Sequence, residues 1–179
     1  MLELKNLTLI IPAKYEAETL PIFLQEIKNI GTKIKIVLEE SDTKTIDSIK
    51  SLENLEIQFQ KQKGYGAAII EGIDNCETEY CCIINADGSM DPKYLSEMFA
   101  LCKDNDLVFC SRYEKNAGSD DDTFVTLIGN KIFTFLGNFL YRLNISDILF
   151  TYIIGKTKSL KNLKLSYLDF RLCVEIPIK

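Results

Sequence analysis

The chain contains no histidine. Any general base working near neutral pH must then be a carboxylate or a perturbed lysine, cysteine or tyrosine, and Ser-His and Cys-His nucleophile schemes are excluded. Basic residues are not in excess either: 21 Lys and Arg stand against 26 Asp and Glu, a net charge of −5. Nucleic-acid binding by phosphate neutralisation needs a basic face, so no nucleic-acid partner is expected. The six cysteines, at 76, 81, 82, 102, 110 and 173, show no C-x-x-C spacing. With no signal-peptide pattern at the start, they read as buried reduced thiols of a cytoplasmic protein. An uninterrupted membrane-spanning run is lacking as well. The nearest approach, Val125 to Leu143, is broken by Asn130, Lys131 and Asn138, and reads as a helix that packs on the domain or lies in a bilayer interface, a peripheral membrane contact.

What is present is a chain of 179 residues, 46% hydrophobic and 26% charged, enough for one domain, 1–179, with a sizeable core. Continuous apolar runs predict strands at Leu7–Ile11, Ile34–Leu38, Tyr80–Ile84 and Leu107–Cys110, and a more polar edge strand at Leu55–Gln60. Between them, Leu20, Phe23, Leu24, Ile27 and Ile30, then Ile46, Ile49 and Leu52, then Ile69, Ile70 and Ile73 recur at helical spacing. Further helices are expected from Pro92 to Lys103 and from Phe124 to Leu143, and a last strand from Ile148 to Gly155. Alternation of strand and helix predicts an α/β fold with a mostly parallel central sheet and helices on both faces. The segment 114–123, with Asn116-Ala117-Gly118-Ser119 followed by three aspartates, reads as a mobile loop.

The run Ile83-Ile84-Asn85-Ala86-Asp87-Gly88-Ser89-Met90-Asp91-Pro92 organises the rest. Acids at the carboxyl end of a buried strand sit where open α/β sheets bind ligands. Carboxylates such as Asp87 and Asp91 suit Mg²⁺ or Mn²⁺ that also carries substrate phosphates. Asp91 before Pro92 equally reads as a helix cap. Glu39 and Glu40 close the second strand. Lys63, Gly64 and Gly66 lead into a helix N-terminus, either an anion site or a place of close helix packing. Arg112 ends the fifth strand, as a phosphate clamp or a salt-bridge partner. Asp147 falls between a helix end and a strand, and Glu175 is either exposed near the end of the chain or a buried functional acid.

Taken together these residues resemble family 2 glycosyltransferases of the GT-A fold, and within them the dolichol-phosphate mannosyltransferase-like group. Ile11-Pro12-Ala13-Lys14-Tyr15-Glu16-Ala17-Glu18-Thr19-Leu20 is similar to the family's I-P-T-Y-N-E-A-E-N-L, Gly64-Tyr65-Gly66-Ala67-Ala68 to its G-K-G-A-A, and Asn85-Ala86-Asp87 to its D-A-D. Ser111-Arg112-Tyr113 matches S-R-Y, and Asp147 the acid before T-S-G-F-R. The resemblance implies an inverting transfer of a hexose from a UDP-, GDP- or dTDP-sugar to a saccharide acceptor or to a lipid phosphate such as a polyprenyl phosphate. It implies a donor site of Pro12, Ala13, Glu16, Glu39, Glu40, Lys63, Gly64, Gly66, Asn85, Ala86, Asp87 and Arg112, a metal held by Asp87 and Asp91, and catalytic roles for Arg112 and, as base toward a sugar hydroxyl, Asp147. Asn85 stands where the motif has an acid, Tyr65 where it has lysine, and Phe150-Thr151-Tyr152-Ile153-Ile154-Gly155 has no arginine. A non-catalytic nucleotide-sugar-binding module and a nucleotidyltransferase are the alternatives.

Overall fold

The computed structural model describes residues 4–114, 117–118 and 123–179. Six strands form one sheet in the order β3-β2-β1-β4-β6-β5: β1 (Leu7–Pro12), β2 (Lys33–Leu38), β3 (Glu56–Phe59), β4 (Tyr80–Ile83), β5 (Leu107–Phe109) and β6 (Ile153–Lys156). Strands β1 to β4 pair in parallel, whereas β6 runs antiparallel to both β4 and β5. Central β1 is buried on both faces, which is why it reads as an unbroken apolar run. Leu9 and Ile11 face a core shared with α1 (Thr19–Ile27), α2 (Thr43–Ile49) and α4 (Leu95–Leu101). Ile10 faces the opposite core, with α3 (Tyr65–Asp74), α6 (Thr157–Asn162) and α7 (Leu172–Ile178). The expected α/β sheet covered on both faces is therefore observed.

Several boundaries differ from expectation. The apolar run from Ile148 contributes only Ile153–Lys156 to the sheet. Phe150, Thr151 and Tyr152 are buried ahead of the strand, so their hydrophobicity reflects core packing rather than ladder pairing. β5, expected to be fully buried, is the edge strand opposite β3 and is half-buried throughout. The helix expected from Pro92 opens with a 3₁₀ turn, Pro92–Tyr94, before α4. The acidic loop expected at 114–123 falls largely outside the described residues.

Helix α5 (Phe124–Tyr141) departs most from the usual pattern. Its inward stripe is small and polar: Asn130 Nδ2 donates to the Tyr113 hydroxyl at 2.7 Å, Thr134 Oγ1 accepts from Ile148 N at 3.2 Å, and Asn138 exchanges hydrogen bonds with the Ile145 backbone. A Cβ on Gly137 would come within 2.3 Å of Ile148 Cδ1, so glycine sets this close approach. The apolar side chains point outward instead: Phe124, Phe135 and Phe139 are 76%, 67% and 73% exposed. The helix thus packs on the domain, one of its two readings, but through its small and polar side while the apolar side faces outward.

Candidate active site

The carboxyl ends of β1, β2 and β4 and the start of α3 open onto a cavity of about 400 Å³. Pro12, Ala13 and Glu16 form its first wall. Ala13 N continues the β1–β2 ladder to Val37 O at 3.0 Å, after which the chain turns through Tyr15 at φ +60°, an uncommon conformation for a bulky residue. Asp42 holds that turn. Buried, it accepts from Tyr15 N at 2.6 Å and caps α2 through Thr45 N. Burial works to raise its pKa, yet the Tyr15 and Thr45 donors outweigh it and leave the carboxyl below its ordinary value.

Glu39 forms the second wall, with Lys14 Nζ at 3.1 Å and Lys63 Nζ at 3.8 Å from its carboxylate. The carboxylate is mostly buried while both lysines are exposed. The hydrogen bond from Lys14 to Glu39 raises the lysine pKa, so both lysines stay charged around the single Glu39 carboxylate and this corner is net positive near neutral pH. Glu40 is exposed and outside the cavity lining.

Asn85, Ala86 and Asp87 continue β4, with Ile84 N bonded to Ile10 O at 3.1 Å. Asp87 Oδ1 accepts from Ser89 N at 3.0 Å and Ser89 Oγ at 2.6 Å, a turn closed by Gly88 at φ +85°. Its Oδ2 has no protein partner among the described residues. Asp91, expected beside it as a metal ligand, is engaged elsewhere: it accepts from Lys93 N, ion-pairs with Lys93 and starts the 3₁₀ turn, outside the cavity lining. Among the described residues no group of three or more ligating side chains gathers to hold an ion. The exposed Asp87 oxygen does fit a hard cation that completes its shell with ligand oxygens and water.

The last wall comes from α3 and a segment that sequence reasoning did not connect with the site. Gly64 and Gly66 let the backbone of Tyr167–Asp169 lie directly on the start of α3: added Cβ atoms would stand 2.1 Å from Leu168 O and 2.2 Å from Tyr167 O. Ala67 N donates to Leu168 O at 3.0 Å. The close packing read from this glycine pair is observed, Gly64 also lines the cavity, and Lys63 beside it is 87% exposed. Asp169 and Phe170 thereby reach the cavity next to Tyr65. Glu175, buried on α7, fixes the segment by accepting from Ser166 N, Ser166 Oγ and Tyr167 N at 2.7 to 3.0 Å. It is a buried structural acid. The only early sign of this wall was the pair of glycines.

Arg112 and Asp147 form a separate corner outside that lining. The guanidinium holds Asp147 in a two-pronged pair, Nε to Oδ2 at 2.7 Å and Nη2 to Oδ1 at 3.0 Å, and its plane also lies near the Tyr113 and Phe150 rings. The Asp147 side chain is fully buried, with both oxygens on Arg112. As it stands it orients the arginine rather than offering a free base. A larger cleft of about 600 Å³ flanks edge strand β3, but its buried lysine, Lys35, is already paired with Glu56 at 2.9 Å.

A protein-family model described as glycosyl transferase family 2 matches residues 8–164. An uncharacterised glycosyltransferase of Mycobacterium tuberculosis is 30% identical over 102 residues, 56% of this chain and 46% of that protein. The chain thus spans about half the length of the curated relatives it matches. Among solved structures, glucosyl-3-phosphoglycerate synthase of M. tuberculosis, in complex with Mn²⁺, UDP and glucosyl-3-phosphoglycerate, superposes with a TM-score of 0.73 at 11% identity, over 94% of this chain and 62% of that one. Mannosyl-3-phosphoglycerate synthase of Rubrobacter xylanophilus gives 0.66 at 16% identity, over 86% and 53%. At these identities the likeness is one of fold.

Proposed function

Because the chain belongs to glycosyl transferase family 2, we propose that it transfers a hexose from a UDP-, GDP- or dTDP-linked sugar to a phosphate or hydroxyl acceptor with inversion. The observation that carries this is the cavity on the carboxyl rim of the sheet, where Asp87, Asn85 and Glu39 line one space of about 400 Å³. Pro12, Ala13, Glu16 and Glu39 line the side suited to the nucleoside, with Glu39 as acceptor for base or ribose hydrogens. Asp87 would hold Mg²⁺ or Mn²⁺ through Oδ2, and an ion bound there supplies positive charge against the leaving diphosphate. The acceptor oxygen forms its bond to the anomeric carbon as the bond from that carbon to the diphosphate oxygen breaks; a phosphate acceptor reacts as its anion with no proton to remove, whereas a hydroxyl acceptor would pass its proton to Asp147 once that carboxylate parts from Arg112. Arg112, whose charge Asp147 balances as it stands, would give positive charge to a phosphate that enters its corner and competes for the guanidinium.

We extend the proposal to the acceptor. A lipid-linked phosphate such as a polyprenyl phosphate, met at the cytoplasmic face of a membrane, suits a helix that presents its apolar side outward and contains no acid. Asn130 ties that helix to Tyr113, next to Arg112, so an acceptor seated beside α5 would arrive at the Arg112–Asp147 corner. No helix of the described residues is long and apolar enough to cross a membrane.

The donor side is tested by melting curves with UDP-, GDP- and dTDP-sugars, each with and without Mn²⁺. One nucleotide class should raise the melting temperature, and Mn²⁺ should add to the rise, because a ligand specific to the native state stabilises it. Asp87→Ala should lose the Mn²⁺ increment and sugar transfer. Unchanged responses in the variant would remove the metal assignment, and donor binding without turnover on any acceptor would favour the non-catalytic module.

A further inference from the structure

Two of the residues at which the chain departs from the family motifs touch each other. The Tyr65 hydroxyl donates to Asn85 Oδ1 at 3.0 Å and shares a 2.6 Å hydrogen bond with Thr151 Oγ1. Its ring stacks on Phe170, with centroids 4.8 Å apart and planes 17° from parallel. Burial pushes the phenol up to about 12, so it remains a neutral O–H donor. A carboxamide has an accepting oxygen and a donating NH₂ end. With its oxygen held by Tyr65, Asn85 keeps its NH₂ end for another partner, and Nδ2 has no protein acceptor among the described residues. Asn85 lines the cavity together with Asp87.

We propose that Tyr65 is a positioning residue which fixes Asn85 with its NH₂ end toward the bound diphosphate, so that nucleotide binding keeps a share that needs no metal. The inference rests on the nucleotide-sugar reading above. A neutral N–H donor meeting an anionic oxygen makes a charge-assisted hydrogen bond. A carboxylate at position 85 would instead repel the diphosphate until a cation stood between them. The Phe170 stack and the Thr151 hydrogen bond keep the phenol from swinging away.

Calorimetric titration with UDP and GDP as probes, in EDTA and in Mn²⁺, tests this. The unaltered protein should bind one of the two in EDTA. Asn85→Asp should weaken binding in EDTA by about ten- to a hundredfold and regain most of it in Mn²⁺. Tyr65→Phe keeps the ring stack and drops the hydroxyl. It should lose about three- to tenfold in EDTA, with a smaller loss in Mn²⁺, a change in ratio that simple loosening of the fold would not produce. Equal affinity of Asn85→Asp and the unaltered protein in EDTA, or binding by the unaltered protein only with Mn²⁺, overturns the inference and leaves the nucleotide-sugar reading standing. Failure of the unaltered protein to bind either nucleotide in both buffers overturns both.

Discussion

At the scale of single residues, the candidate site depends on atoms that are missing as much as on those present. Gly66 has no Cβ because the Tyr167 carbonyl occupies that space, at 2.2 Å, with Leu168 C and Asp169 O at 2.8 Å. These are backbone atoms and cannot rotate aside. Gly66→Ala should therefore cost about 2 to 4 kcal/mol, read from the denaturant midpoint, and should weaken donor binding by displacing Phe170. Gly129 offers a contrast, since an added Cβ there meets nothing within 4 Å. Gly129→Ala should be neutral or stabilising by up to about 1 kcal/mol through helix propensity alone. A similar logic governs Asp91 and Asp87, both acids of one short run. Asp91 is committed to Lys93 and a helix start, while Asp87 keeps an oxygen unengaged. Residue type made both candidates, the proline after Asp91 already offered it a cap role, and their hydrogen bonds separate them.

At the scale of elements, α5 reverses the usual amphipathic arrangement by turning Asn130, Thr134, Gly137 and Asn138 inward. The long apolar run broken by Asn130, Lys131 and Asn138 correctly indicated a helix, but composition does not say which side of it is buried. Interaction through the outward face is checked by sedimentation with vesicles of anionic and zwitterionic lipid. Lys131 and Arg142 are the charged residues at this helix, so binding should be stronger to anionic vesicles. The paired change Phe135→Asp and Phe139→Asp should lower it by at least about a hundredfold, each ring contributing roughly 1.5 to 3 kcal/mol when buried. Melting temperature should hardly move, because both rings are largely exposed. Self-association of the unaltered chain with no vesicle binding would replace the lipid proposal by a contact between copies.

At the scale of the whole molecule, the wall of the cavity is tied to global stability through Glu175. Burial alone would raise this carboxyl, but Lys179 and the donors of Tyr167 and Ser166 outweigh it and hold its pKa at about 2. The folded value lies below the ordinary 4.5, so the stabilisation is complete above about pH 4.5 and is lost as pH falls toward 2, amounting to roughly 3 kcal/mol. Between about pH 5 and 2 the unaltered protein should lose stability more steeply than Glu175→Gln, while the variant should be the less stable of the two at pH 7. Parallel pH dependence of the two would show that Glu175 is not a principal source of acid sensitivity.

The linear sequence determined the alternation of strands and helices, the parallel core and the ends at which acids collect, because apolar continuity and helical spacing are local properties that burial on two faces imposes on the chain. The motifs at Pro12, Gly64, Asn85 and Ser111 were legible for the same reason: each is a short contiguous stretch. Tertiary structure alone decided what lies beside what. It brought Phe170 against Tyr65, turned Asn85 by a hydrogen bond across 20 residues, closed Asp147 onto Arg112 across 35, and set the polar side of α5 inward. Contacts between residues distant in sequence leave no periodicity to read, since they follow from how helices and loops settle on the sheet once it has formed.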